Sequence, residues 1–309
     1  QSLPWFDSVR EALARELPNY PSVDPVQCDL ADYQRVHTEE YLGALQEMAT
    51  GREPSYKPQL SGECSGLEYA LPGYRYSLGG LMEVIRRMTK GEVKRAYVFG
   101  LPGHHAHPDW GHGYCLLNPQ AAAARYSQEM GFHHPLIIDW DYHHGDGTQE
   151  IFANDESIHC ISIHSAVDLY MSMMKVTELG TTSAAEATGH RNIPVLDHFY
   201  DDAFWKESGL QGHYFRTEEV IPAFKNALDN LPWSPDIVFV FSGYDAHRDD
   251  CGAGMQEWTN DDYISLTRRV RMIANRHGAP ILSVHGGGYD RETAVGAAKA
   301  HTAALAVSW

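Results

Sequence analysis

The chain has 309 residues, with 41 acidic and 24 basic side chains and a formal net charge of −17. Hydrophobic residues make up 43% and charged residues 21%, which is the balance of a globular protein and excludes a disordered or fibrous one. The negative charge argues against nucleic acid or an anionic membrane as a partner and would attract basic substrates. The apolar runs are far shorter than the roughly 20 residues of a membrane-spanning helix.

The cysteine and histidine contents indicate different things. The five cysteines are widely spaced and form no C-x-x-C, which predicts free thiols in a reducing compartment and hence a cytoplasmic protein. The 18 histidines cluster, mainly within 104–112 and 133–144. Histidine-rich stretches suggest metal or proton chemistry, although scattered surface histidines are also tolerated.

Periodicity predicts the elements in chain order. We predict helices over 4–17, 31–49, 76–90, 118–130, 214–229, 259–277 and 293–307. Apolar β-branched runs predict strands at 96–99, 136–138, 158–163, 237–241 and 281–284, typical of a parallel sheet covered on both faces. The predicted fold is therefore α/β: a single domain over 1–309, with three α/β/α layers around a mostly parallel sheet. Long loops are expected at 50–75 and 165–190, either functional or plain surface elaboration.

Polar side chains follow the predicted strands where each strand ends. They are His104 and His105; Asp139, Asp141, His143 and Asp146; Asp245 and His247; and His285 and Tyr289. In an open parallel sheet, ligand crevices form outside the carboxyl ends of the strands. We therefore expect these side chains to meet at one edge.

The segment that begins at Asp139 has the residue types of a metal site. In extended chain Asp139, Asp141 and His143 point the same way, and Asp245 would complete a set of two carboxylates and one histidine. Nitrogen and oxygen ligands without thiolate suit Zn²⁺, or alternatively Fe²⁺ or Mn²⁺, and three protein ligands leave a position for water. The alternative, that the aspartates only cap a helix, is weaker because so many carboxylates without a basic partner need a cation or protons.

The tandem histidines and the glycine run suggest how such a site would act. A histidine of the pair 104–105 near a metal-bound water is a suitable general base, and Asp139 and Asp146 could orient the rings. The glycines at 286–288, including Gly287 and Gly288, would let the backbone bring Tyr289 close to a substrate, although such a run can also be a simple turn. A serine hydrolase is disfavoured because G-x-S-x-G is absent.

These motifs together resemble the zinc-dependent histone deacetylase family, which includes bacterial deacylases and acetylpolyamine amidohydrolases and shares the arginase fold. The matching strings, in the family's order, are Pro102 to Ala106, Gly113 to Cys115 with Asn118, Ile138 to Thr148, Gly243 to His247, and Gly287 to Tyr289. Trp140 resembles the residue of class II-type and bacterial members.

The resemblance implies a role for each matching residue. Asp141, His143 and Asp245 would bind Zn²⁺; His105, paired with Asp146, would be general base and acid; His104, paired with Asp139, would assist electrostatically; Tyr289 would polarise the substrate carbonyl; the Gly113 carbonyl would accept the substrate amide N–H; and Tyr114 would line a tunnel wall where the family usually has Phe. Family members also carry K⁺. Here the first site would use Asp139, Asp141, His143, Ser162 and Ile163, and the second Phe152, Asp155 and Ile158.

The chain also departs from the family pattern. No Pro-Gly-containing stretch follows the strand at 158–163, so Tyr170 or the methionines at 171, 173 and 174 are expected to line the opposing wall, or else to pack into the core. The family's first strand, expected before residue 1, is missing, which is consistent with a trimmed start. An acidic gatekeeper for polyamines would fall near Gly252, and its absence weakens polyamine specificity without excluding it.

The substrates expected from this pattern are acyl-lysine peptides or proteins, or similar acylated amines, with acetylpolyamines as the alternative. A second hypothesis is an arginase-like ureohydrolase with two Mn²⁺. The number of metal ions per chain would distinguish it from the deacylase hypothesis. A non-catalytic binding module is a third, but such a relative would be expected to lose Tyr289, a histidine or a ligand. The sequence is compatible with an oligomer.

Overall fold

The computed structural model describes residues 4–16, 20–24, 26–166, 190–196, 200–201, 203, 207, 213–253 and 256–307. The strands in this part of the chain are β1 (Gln59–Leu60), β2 (Arg95–Val98), β3 (Trp110–Gly111), β4 (Pro135–Asp139), β5 (His159–Ser165), β6 (Arg191–Val195), β7 (Ile237–Ser242) and β8 (Ile281–His285). The α-helices are α1 (Pro4–Glu16), α2 (Glu39–Ala49), α3 (Leu67–Thr89), α4 (Pro119–Glu129), α5 (Asp146–Ile151), α6 (Val220–Asp229), α7 (Asn260–His277) and α8 (Arg291–Ala306). No helix within these ranges has the length and apolar character that crossing a bilayer requires.

A six-stranded sheet in the order β2-β8-β7-β4-β5-β6 forms the centre, and all of its pairings are parallel. Every residue of β4, β7 and β8 is buried, because helices cover both faces. Side chains alternate between the two faces, so Ile137 and Phe239 join one apolar cluster while Ile138 and Val240 join the other. β1 and β3 form a separate two-stranded parallel sheet.

The helices divide between the two faces and produce three layers. Apolar side chains of α2, α3 and α4 pack into the first cluster, with Leu45, Leu81 and Ala122 fully buried. Those of α1, α6, α7 and α8 pack into the second, where Phe224 and Leu266 are fully buried. The predicted three-layer α/β/α fold with a parallel sheet is confirmed.

Several predicted element boundaries were wrong. The helix predicted over 31–49 is a 3₁₀ helix, Leu30–Arg35, followed by α2, because the Thr38 side chain caps α2 by accepting from the Tyr41 N–H. α3 begins at Leu67, inside the expected loop at 50–75. The segment 214–229 opens as a 3₁₀ turn, Thr217–Glu219.

Some elements escaped prediction for lack of a pattern. β6 contains Arg191, Asn192 and Pro194 in place of an apolar run, and α5 is a single short helix. The expected wall residue Tyr170 and the methionines at 171, 173 and 174 lie outside the described residues.

Candidate active site

The carboxyl ends of β2, β4, β7 and β8 meet at one edge of the sheet, where a cavity of about 730 Å³ opens. His104, His105, Asp141, His143 and Tyr289 all line this cavity. The parallel sheet therefore brings side chains from the ends of β2, β4 and β8 to this cavity, as the strand-end pattern predicts, and Asp245 after β7 contacts His143.

Asp141, His143 and Asp245 converge within this cavity region. His143 Nδ1 lies 3.2 Å from Asp141 Oδ1 and 3.1 Å from Asp245 Oδ2. One ligand atom from each residue lies within 4.8 Å of the others, and both carboxylates are buried. Two carboxylates and one imidazole in this arrangement fit a divalent cation such as Zn²⁺.

Electrostatics also favour a cation at this point. Burial, together with the negative charge of Asp141, raises the pKa of Asp245 to about 7. Among the described residues that line the cavity, none is Lys or Arg, and the nearby His104 is hydrogen-bonded to a third carboxylate, Asp139. A bound metal ion would supply the missing positive charge and keep both carboxylates ionised.

Glycines allow the backbone to wrap closely around the ligand carboxylates. The Gly287 N–H donates to Asp141 Oδ2 at 2.7 Å. A Cβ at Gly287 would lie 2.7 Å from the same oxygen, which is too close for any side chain. The glycine run at 286–288 is therefore a packing requirement of the site as well as a flexible turn.

Two histidine–aspartate pairs stand beside the three candidate ligands. His104 Nδ1 bonds Asp139 Oδ2 at 2.9 Å, and His105 Nδ1 bonds Asp146 Oδ1 at 2.8 Å. Burial and the nearby charge of His104 lower the pKa of His105 well below its usual value, so this ring is neutral near pH 7. Burial alone would lower the pKa of His104 as well, but the charges of Asp139 and Asp141 outweigh it and raise the pKa to about 9.

A turn at Gly113 and Tyr114 forms one wall of the cavity. Gly113 has φ +55° and Tyr114, unusually for a residue with a side chain, has φ +63°. A Cβ at Gly113 would lie 2.5 Å from His105 Cδ2, so the backbone passes directly beside the ring.

Tyr74 was missed by sequence reasoning. Its hydroxyl accepts from the Leu116 N–H and lies 2.9 Å from the Pro102 carbonyl oxygen and 3.2 Å from the Tyr114 carbonyl oxygen.

Asp250, which no sequence motif singled out, holds the loop that carries Tyr289. Its Oδ2 accepts from the backbone N–H groups of Tyr289 and Asp290 at 2.7 and 2.8 Å. The Tyr289 ring stands perpendicular to that of His143, with 6.2 Å between centroids. The only available signal was an acidic run shortly after Asp245.

Asp146 is surrounded by more histidines than the sequence motifs assigned. Besides His105 it bonds His107 and His112. His105, His112 and Asp146 form a second group whose ligand atoms lie close enough for a metal. Within the described part of the chain, this group shares no residue with Asp141, His143 and Asp245.

The two predicted potassium sets lie in different surroundings. Asp139 and Ser162 are register partners on β4 and β5, which places the first set on adjacent strand ends. In the second set, the Phe152 carbonyl accepts from His190 Nε2 at 2.8 Å and from the Asp155 N–H at 3.0 Å. The Asp155 carboxylate is already paired with Arg125, so K⁺ there would compete with protein donors.

Comparison with known proteins gives consistent results. The family described as Histone deacetylase domain matches residues 5–305. A "Probable deacetylase" of Archaeoglobus fulgidus is 30% identical over 292 residues, which are 94% of this chain and 75% of the relative. The "Polyamine deacetylase HDAC10" of Homo sapiens is 26% identical over 268 residues, 84% of this chain but only 37% of that protein. The crystal structure of the HDA15 HD domain superposes with a TM-score of 0.74 at 24% identity, over 98% of this chain and 81% of the other, and shows the same fold.

Proposed function

Since the chain belongs to the histone deacetylase family, we propose that it is a zinc-dependent deacetylase that removes acyl groups from N-acyl-lysine side chains or similar acylated amines. The observation that carries the proposal is the buried group of Asp141, His143 and Asp245, with two histidine–aspartate pairs and Tyr289 around the same cavity.

The ligand group supports Zn²⁺ as the cofactor. Held by Asp141, His143 and Asp245, Zn²⁺ would polarise the substrate carbonyl and lower the pKa of a bound water. The protein residues around it divide the remaining work between proton transfer and stabilisation of charge.

His105 is the general base and then the general acid. Its Nδ1 faces Asp146, so Nε2 is the nitrogen that takes a proton from the attacking water as the C–O bond forms. The same Nε2 then gives this proton to the amide nitrogen as the C–N bond breaks. The products are a carboxylic acid and a free amine, with no covalent bond to the enzyme.

Tyr289 and His104 act on charge that develops during the reaction. The Tyr289 hydroxyl donates a hydrogen bond to the carbonyl oxygen, which becomes negative as water attacks. His104, paired with Asp139, adds positive potential beside Asp141. The Gly113 carbonyl accepts the substrate amide N–H, and Tyr114, Gly287 and Gly288 line the channel that holds the acyl-amine.

The preferred substrate is an acyl-lysine, with an acetylpolyamine as the alternative. An N-acetylpolyamine keeps protonated amines, which a net charge of −17 attracts. An acylated lysine side chain is neutral, so a peptide substrate is attracted only through its other basic residues. A Cβ at Gly252 would lie 2.7 Å from the His247 carbonyl oxygen and closer still to Ala246, so no acidic side chain fits there to select polyamines. The similarity to a human protein named as a polyamine deacetylase supports an acetylpolyamine as the alternative substrate.

Further proposals concern ions, organisation and location. We propose K⁺ at the first set, where Asp139 and Ser162 are adjacent, and retain the second set around Phe152 as a weaker candidate. One domain over residues 1–309 is proposed because one six-stranded sheet contains strands from Arg95–Val98 to Ile281–His285. A cytoplasmic location is proposed because all five cysteines are free thiols.

The first experiment measures turnover of acyl-lysine peptides and N-acetylpolyamines by zinc-loaded protein, with a chelator control. We expect chelator-sensitive release of lysine amine and one zinc per chain. Asp245→Ala should lose both the metal and the activity. Two metals per chain with urea release would favour the arginase-like reading, and turnover that survives chelation would refute the zinc mechanism.

A further inference from the structure

A row of hydrogen-bonded side chains leads from the catalytic pair to the protein surface. Asp146 accepts from His105 Nδ1 and His112 Nε2, both at 2.8 Å, and lies 3.2 Å from His107 Nε2. On the far side of its ring, His107 Nδ1 bonds Glu150 Oε2. His107 is fully buried, whereas the Glu150 side chain is 42% exposed.

Helix α5 and the backbone around His107 together place the His107 ring between two carboxylates. Asp146 and Glu150 stand four residues apart on α5, so their side chains share one face of the helix. The backbone of His107 is held by two further bonds: its N–H donates to the Trp110 carbonyl, and its carbonyl accepts from His37 Nδ1, both at 2.9 Å. The ring also stacks on Trp110, with 3.7 Å between centroids and 12° between planes.

These contacts favour the charged form of His107. Both ring nitrogens face carboxylate oxygens, and only the imidazolium form has an N–H on each nitrogen. Burial by itself lowers the pKa of His107, but the hydrogen bonds and charges of Asp146 and Glu150 outweigh it and raise the pKa to about 9. The indole face of Trp110 stabilises the cation further.

We propose that His107, anchored by Glu150, is a positioning residue for the catalytic base: it holds Asp146 so that Oδ1 faces His105. The inference rests on the proposed function, in which His105 is the base. Asp146 keeps the His105 proton on Nδ1 and the reactive lone pair on Nε2, and it does so only while its own orientation is fixed. His107 and His112 hold the second oxygen, and the other ring nitrogen of His107 bonds Glu150.

Glu150 is the residue to change, because it lies at the surface end of the row and touches neither the cavity nor the metal ligands. The variants are Glu150→Gln, which keeps the shape and removes the charge, and Glu150→Asp, which keeps the charge. Glu156→Gln is the matched control, since it removes an exposed carboxylate just beyond α5 that is outside this row. Each variant is measured for kcat, KM, zinc content and Tm with an acyl-lysine peptide.

We expect Glu150→Gln to lower kcat by roughly tenfold to a hundredfold, the usual effect of losing such an outer partner, with KM and zinc content within about twofold. Glu150→Asp should recover part of kcat, and Glu156→Gln should equal wild type. An unchanged kcat in Glu150→Gln, or a loss explained by unfolded protein or lost zinc, would overturn the inference.

A readout without turnover separates this inference from the proposed function. The ¹⁵N shifts of the histidine rings report which nitrogen of His105 holds the proton. In wild-type protein we expect the proton on Nδ1, and in Glu150→Gln a mixture of the two tautomers. A wild-type protein that turns over no acylated amine refutes the proposed function, whereas an unaltered His105 tautomer in Glu150→Gln refutes the inference alone.

Discussion

The buried carboxylates of this site are each held by hydrogen bonds to polar partners, mostly histidines. Asp139, Asp141, Asp146 and Asp245 are all at most 5% exposed, yet each carboxylate has polar partners within hydrogen-bond distance. Buried carboxylates are costly unless they are paired, so the histidines around them serve stability as well as chemistry. Changing one partner therefore risks the fold, and residues at the cavity surface are better probes of catalysis.

Tyr289 is such a probe, because it is 46% exposed and its loop is held through the backbone by Asp250. Tyr289→Phe removes only the hydroxyl. We expect kcat to fall about 10²–10³-fold, as for loss of one oxyanion donor, because the carbonyl oxygen loses a hydrogen bond when its charge develops. Steady-state kinetics together with metal analysis check this, and near-wild-type kcat with zinc retained would rule out the role of the phenol.

At the scale of elements, hydrogen bonds of Asn118 connect the starts of two helices, α4 and α5. The Asn118 side chain caps α4 by accepting from the Ala121 N–H, and its amide also donates to Thr148 on α5. The Asn118 backbone N–H donates to His37 Nε2. α5 begins at Asp146, the residue that orients the base. The hydrogen bonds of Asn118 therefore connect the start of α4 to the helix that carries Asp146.

Asn118→Ala removes the cap and leaves Thr148 without this buried partner. We expect a loss of about 2–3 kcal/mol in the free energy of unfolding, the sum of a cap and a buried hydrogen bond. The urea midpoint of unfolding measures it. Thr38→Ala, which removes only the cap of α2, serves for comparison and should cost about 1 kcal/mol. Equal losses in the two variants would show that the bond between Asn118 and Thr148 adds nothing.

At the scale of the whole molecule, buried neutral histidines make the fold sensitive to acid. Burial lowers the pKa of His37 to about 4 and that of His301 to about 3. Both rings accept or donate hydrogen bonds that suit the neutral form: His37 Nε2 accepts from Asn118, and His301 contacts Thr267 and Ser283. Protonating either ring breaks its bonding pattern inside the core.

The sign of the pH effect follows from proton binding. Between pH 6.5 and about 4 the unfolded chain holds a proton on His37 and the folded chain does not, so stability falls as the pH falls. The contribution of His37 is fully present above pH 6.5 and amounts to about 3 kcal/mol. About 2 kcal/mol of this contribution is lost by pH 5, and urea midpoints of wild type and the His37→Gln variant at pH 7.5 and 5 measure that part.

His37→Gln should flatten this pH dependence, whereas His133→Gln, at an exposed position, should leave it unchanged. A His37→Gln variant whose stability changes between pH 7.5 and 5 by the same amount as that of the wild type would contradict the assignment.

Local pattern in the sequence determined much of this protein. Apolar runs identified β2, β4, β5, β7 and β8 within about two residues, because strands buried on both faces must be apolar throughout. The strand-end residues Asp141, His143, Asp245 and His105 were identifiable for the same topological reason. Residue types and their order also indicated the family.

Tertiary structure alone decided the rest, because the signals lie between segments distant in the chain. β6 has polar residues where a strand pattern needs apolar ones, and its place in the sheet is defined by its parallel pairing with β5. Nothing in the sequence joins His107 to Asp146, 39 residues away, or Asp250 to the Tyr289 backbone. Side-chain hydrogen bonds between distant segments leave no periodic pattern in the sequence, so the partners that orient the catalytic groups become visible only when the fold brings them within about 3 Å.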